Sequence, residues 1–96
     1  MSHYLIATLD IVDRETYAQY EAGFMDVFSR YEGKMLAVDE KPRLLEGQWG
    51  WTRTVLIEFP DAEKALAWFQ SDEYQAIAQH RHAASSGNVV MIQGLP

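Results

Sequence analysis

The chain has no cysteine. That excludes disulfides, thiolate catalysis, zinc ribbons and iron–sulfur ligation. Basic residues are sparse as well: eight Lys and Arg stand against fourteen Asp and Glu, for a net charge of −6. Nucleic acid is therefore not an expected partner, because phosphate binding needs a basic face and the few cations are scattered. Nor is an anionic membrane surface. No apolar run approaches the ~20 residues of a membrane span. The opening segment MSHYLIATLDIVDRE lacks a basic n-region, and Asp10 breaks its apolar run, so neither a signal peptide nor a transit peptide is expected and the expected location is cytoplasmic. With three prolines and six glycines, there is little to mark an internal linker. A chain of 96 residues reads as one domain, 1–96.

What is present is an excess of two-faced apolar strands. In His3 to Val12, Tyr4, Ile6 and Val12 point one way while Leu5, Ala7, Leu9 and Ile11 point the other. In Thr54 to Phe59, Val55, Ile57 and Phe59 oppose Leu56, and in Asn88 to Gln93, Val90 and Ile92 oppose Val89 and Met91. Such near-continuous apolar runs belong to strands covered on both faces. The helices suffice to cover one face. The other needs a partner, and a second copy of the chain is the simplest.

The helix signals are local. Asp13 is an N-cap, and Tyr17, Tyr20, Phe24, Val27, Phe28 and Tyr31 recur at helical spacing, which predicts a helix over roughly 14–31 ending at Gly33. Lys34 to Asp39 is a strand, Glu40-Lys41-Pro42 a turn, Arg43 to Glu46 a short extension, and Gly47-Gln48-Trp49-Gly50-Trp51 a loop. After the strand at 52–59, Asp61 caps a second helix with a break near Gln70-Ser71, where Ser71-Asp72-Glu73 restarts it up to about Ala84. Ser85-Ser86-Gly87-Asn88 reads as a turn before the last strand. The order β-α-β-β-α-β, with right-handed crossovers, predicts an α+β ferredoxin-like domain: a four-stranded antiparallel sheet with its helices on one face.

Tyr4-Leu5-Ile6-Ala7, Tyr17 with Tyr20, Leu45-Glu46-Gly47-x-Trp49, Ile57-Glu58-Phe59-Pro60 and Ser71-x-x-Tyr74-Gln75 occur in an order that resembles a small bacterial family, domain of unknown function 1330. That family belongs to the dimeric α/β-barrel group of ferredoxin-like proteins. The resemblance implies a homodimer in which two open sheet faces meet. It implies no reaction, since the wider group spans cofactor-free oxygenases, haem-degrading oxygenases, isomerases and ligand-binding dimers.

Candidate chemistry is sparse, and no motif asks for a cofactor. If the first and third strands are antiparallel neighbours, Asp10 lies near Arg53, and His3 near Glu58. The first pair could grip an anion and Glu58 could act as a base, or both could be ion pairs that fix register. Trp49 and Trp51 either line a pocket mouth or cover a contact between copies. His80 and His82 are two apart, a poor spacing for metal on a helix, so no metal site is expected. His80 alone could shuttle a proton, and Arg81 beside it reads as a helix-end cation. Tyr17, Tyr20 and Tyr31 are either core or the lining of a space for a small aromatic ligand. No G-x-S-x-G or phosphate loop is present. Two function classes follow: a ligand-binding or structural homodimer, or a cofactor-independent enzyme acting on a small aromatic or carbonyl metabolite. The second would use Asp10, Glu58 or His80 for proton transfer, Arg53 to hold an anion and Trp49 as a wall. A ligand-sized cavity would separate a binding protein from a purely structural one.

Overall fold

Three short-range caps organise the helical layer. The Asp13 carboxylate accepts from the Thr16 amide (3.1 Å) and starts α1, Arg14–Phe28. Asp61 accepts from the Lys64 amide (2.8 Å) and starts α2, Ala62–Phe69. The Ser71 hydroxyl accepts from the Tyr74 amide (3.1 Å) and starts α3, Asp72–Ala84. The second helix is thus two pieces, broken at Gln70-Ser71 as the capping residues predict. The computed structural model describes all residues 1–96.

The strands are β1 (His3–Ile11), β2 (Lys34–Asp39), β3 (Arg53–Phe59) and β4 (Ser85–Gln93). They form one antiparallel sheet in the order β2-β3-β1-β4, the ferredoxin-like topology. Leu5, Leu9, Ile11, Val55, Ile57 and Phe59 face the helices and are buried. They pack against an aromatic cluster centred on Trp68, whose ring lies 4.2 Å from Tyr74, 5.3 Å from Phe28 and 5.7 Å from Phe59. Alternation places Tyr4, Ile6, Leu56, Val90 and Ile92 on the other face, which no element of the chain covers; Val90 and Ile92 are 48% and 47% exposed.

Three local expectations are corrected. First, α1 ends at Phe28, and 29–32 form a turn, so Tyr31 is not helical. Gly33 is no helix cap: a Cβ there would sit 2.6 Å from the rings of both Phe28 and Phe59, so the position admits no side chain. Second, Ser85 to Asn88 is strand rather than turn. The Ala84 carbonyl accepts from the amides of Val12 and Asp13, so α3 passes straight into β4. A Cβ on Gly87 would lie 2.0 Å from the Thr8 carbonyl oxygen, and glycine there lets β4 approach β1. Third, Arg43 to Glu46 adds no strand.

The two sheet edges differ. β2 carries Lys34 and Asp39 and has a bulge between Met35 and Ala37. β4 is nine residues long and contains no charged side chain.

Candidate functional site

A cavity of about 220 Å³ lies between the helical layer and the sheet. Fifteen of its eighteen lining residues are apolar or aromatic; the others are Glu21, Arg53 and Arg81. β1 and β3 supply the floor through Leu5, Ala7, Leu9, Val55 and Ile57, and α1 supplies Tyr17, Tyr20 and Phe24. Trp68, Phe69 and Tyr74 close the far wall from α2 and α3. Ala7, between Leu5 and Leu9 on the same face of β1, is the smallest residue of that floor.

Arg53 is the first residue of β3, and its parity aims it at the helices. Its guanidinium lies 5.5 Å from the centre of the Tyr17 ring. It forms ion pairs with Glu21 on α1 (3.3 Å) and with Glu40, which follows β2. Glu40 also accepts from Arg14 (3.4 Å). The cluster ties α1 to the end of β2 where the cavity meets the surface. Burial pushes the Tyr17 hydroxyl above its usual range, partly opposed by the positive field of Arg53.

Deeper in, the hydroxyls of Tyr20 and Tyr74 share a buried hydrogen bond of 2.7 Å. Burial holds the Tyr20 hydroxyl far above its ordinary value, and the Tyr74 hydroxyl beside it adds to the effect, so it stays neutral. Arg81 completes the site. It is only 9% exposed and lies 5.8 Å from the Tyr20 ring centre. The sequence reading missed it by treating it as a helix-end cation. The signal was present, because Tyr74, Ala78, Arg81 and Ala84 follow four- and three-residue steps and all four are buried.

The other sequence candidates lie elsewhere. Asp10 and Arg53 do not pair. Leu9 stands opposite Arg53, so Asp10 falls on the open face while Arg53 points to the helices. His3 and Glu58 are likewise one residue out of register: Tyr4 faces Glu58, and its hydroxyl donates to that carboxylate at 3.3 Å. Trp49 is 43% exposed and shares a shallow depression with Asp10, Trp51 and Ser86, away from the cavity. His80 does not line the cavity. Tyr31 donates to Glu73 at 3.5 Å on the surface. Of the candidates, only Tyr17, Tyr20 and Arg53 meet at the cavity. No three His, Asp or Glu side chains cluster, and no helix is long and apolar enough to cross a membrane.

Sheet order, helix placement and cavity define a ferredoxin-like α+β protein with a small-molecule-sized hollow under its helices. The chain belongs to the family described as Domain of unknown function (DUF1330), whose sequence profile matches residues 2–95. No functionally curated protein matches it. Among solved structures it resembles a protein of unknown function from Rhodopseudomonas palustris, with a TM-score of 0.83 at 18% identity, covering 99% of this chain and 83% of that one. A dimeric ferredoxin-like protein of unknown function from Thermobifida fusca gives a TM-score of 0.70 at 14% identity, over 96% and 90% of the two chains. SnoaB, a cofactor-independent oxygenase from Streptomyces nogalater, gives 0.67 at 12% identity, over 99% and 94%. At these identities the likeness carries the fold.

Proposed function

We propose that this protein is a homodimer joined across the open sheet face, in which each protomer binds a small, flat, largely apolar ligand between helices and sheet. The cavity carries the reading. A purely structural dimer would be packed solid at that position, since protein interiors leave few voids larger than a water molecule. Tyr4, Ile6, Leu56, Val90 and Ile92 support the dimer as an apolar patch on a face that nothing in the chain covers, as does the dimeric description of the Thermobifida relative. We also propose that it is a bacterial cytoplasmic protein; the bacterial sources of the relatives support the first of these.

Binding is favoured over turnover by where the proton-transfer candidates lie. Asp10 and Glu58 are on the opposite side of the sheet, His80 is outside the cavity, and Glu21 at its rim is tied to Arg53.

Two measurements test the reading. In light scattering, wild type should have twice the chain mass and Ile6→Glu should be monomeric; a monomeric wild type refutes the dimer. In a thermal-shift screen, planar aromatic compounds should stabilise wild type and not Ala7→Phe, which fills the hollow. Failure of every such compound to stabilise wild type refutes the ligand.

A further inference from the structure

Three residues that line the cavity carry buried donors with no acceptor in the chain. Arg81 is the clearest. It belongs to none of the six ion pairs in the protein. The one polar contact of its side chain is with the His82 ring at 3.4 Å, and its Nε is buried without an acceptor. The Tyr20 ring below it offers a π-face and no lone pair. Nε1 of Trp68 and Nε of Arg53, both from cavity-lining residues, are also buried without acceptors. The Tyr20 and Tyr74 hydroxyls bring two protons to one shared hydrogen bond, so one is left over. The acceptor at the rim, Glu21, is already paired with Arg53. A buried cation without a counter-charge is costly, and so is each unmet donor, unless something offsets them.

We infer that the cavity takes a small aromatic carboxylate, whose anionic group meets Arg81 and whose ring lies against Phe24 and Trp68. The inference rests on the ligand-binding reading and narrows it to one charge and one shape. The size agrees. A cavity of about 150 Å³ holds a benzene ring. The hollow of about 220 Å³ exceeds that and leaves room for a carboxylate beside the ring. The apolar majority of the wall suits a ring, and an Arg81 guanidinium without an ion-pair partner suits an anion. A neutral or cationic ligand would leave Arg81 unmet.

Calorimetric titration of the full-length protein with benzoate and with benzamide, its neutral isostere, tests this. Wild type should bind benzoate at least about tenfold more tightly, as a charge-assisted contact implies. Arg81→Gln should lower benzoate affinity to that of benzamide and leave benzamide unchanged. If Arg81→Gln does not fold, Arg81→Lys takes its place: the charge stays, the forked geometry goes, and the preference should shrink. Equal binding of the two probes by wild type, or a preference that survives loss of Arg81, overturns the carboxylate inference and leaves the ligand-binding reading intact. Absence of binding by both at millimolar concentration overturns the carboxylate inference, and the broader screen with Ala7→Phe then decides the ligand-binding reading separately.

Discussion

Removing either hydroxyl of the Tyr20–Tyr74 pair should cost more than removing both. The residues are 7% and 2% exposed, and their oxygens are 2.7 Å apart. Tyr20→Phe leaves the Tyr74 hydroxyl without its partner in a buried setting, and Tyr74→Phe does the converse. An orphaned buried polar group costs about 1–3 kcal/mol, so about 2 kcal/mol is expected for each single variant. For a domain of this size that lowers Tm by about 8–16 °C. The double variant leaves no orphan and should cost about 1 kcal/mol or less. The two single costs would then exceed the double by about 3 kcal/mol, the upper end of coupling for residues in contact. Both rings remain, so the contacts of Tyr20 with Arg81 and of Tyr74 with Trp68 are preserved. Urea unfolding followed by tryptophan fluorescence at one fixed protein concentration measures all four free energies, and fixing the concentration keeps any contribution from self-association the same in each. Single variants that each cost under about 0.5 kcal/mol and simply add would refute the reasoning. The hydroxyls would then be solvated one by one from the cavity.

Further outcomes follow from other positions. Trp68→Ala, which empties the centre of the aromatic cluster, should cost about 3–5 kcal/mol in the same urea assay; a cost below about 1 kcal/mol would mean the cluster collapses to fill the gap. Gly87→Ala drives a Cβ into the Thr8 carbonyl and should cost about 4 kcal/mol or more, seen as loss of amide protection in β4; a near-neutral result would contradict the close approach of β4 to β1. The Asp13 carboxyl is held below its ordinary value by the Thr16 hydroxyl and then by the Thr16 amide. Its stabilisation is therefore present above about pH 4 and is lost as pH falls through the lowered folded value. Asp13→Asn keeps a cap and should flatten that acid-side slope, and an unchanged slope would assign it to other carboxyls.

What could be read from the chain were its local signals. Asp13, Asp61 and Ser71 cap their helices because capping depends on residues three apart. The break at Gln70-Ser71 and the two-faced pattern of β1 and β3 are legible for the same reason. Register is different. α1 and β2 separate β1 from β3 in sequence, so no turn fixes their offset, and the expected pairs Asp10–Arg53 and His3–Glu58 each miss the register by one residue, which puts the two members of each pair on opposite faces. The Ser-Ser-Gly-Asn segment has turn composition, yet it is strand because β1 has a ladder position for each of its residues. The cavity gathers Ala7 of β1 and Trp68 of α2 into one lining, an arrangement that no spacing rule describes. Arg81 was within reach, since its helical spacing placed it on the buried side.

The unequal sheet edges bear on how the protein ages in solution. An exposed strand end presents a row of free backbone donors and acceptors to any other chain. β2 discourages that with charge and a bulge. β4 does not, and Val89 to Ile92 form four consecutive apolar residues in an uncharged strand. Such a segment templates strand addition, the first step towards cross-β fibrils. Concentrated protein should therefore elongate from this side, and Met91→Lys, at a position that pairs with Leu5 and so lies on the helix side of the sheet, should slow that growth and leave the proposed dimer intact.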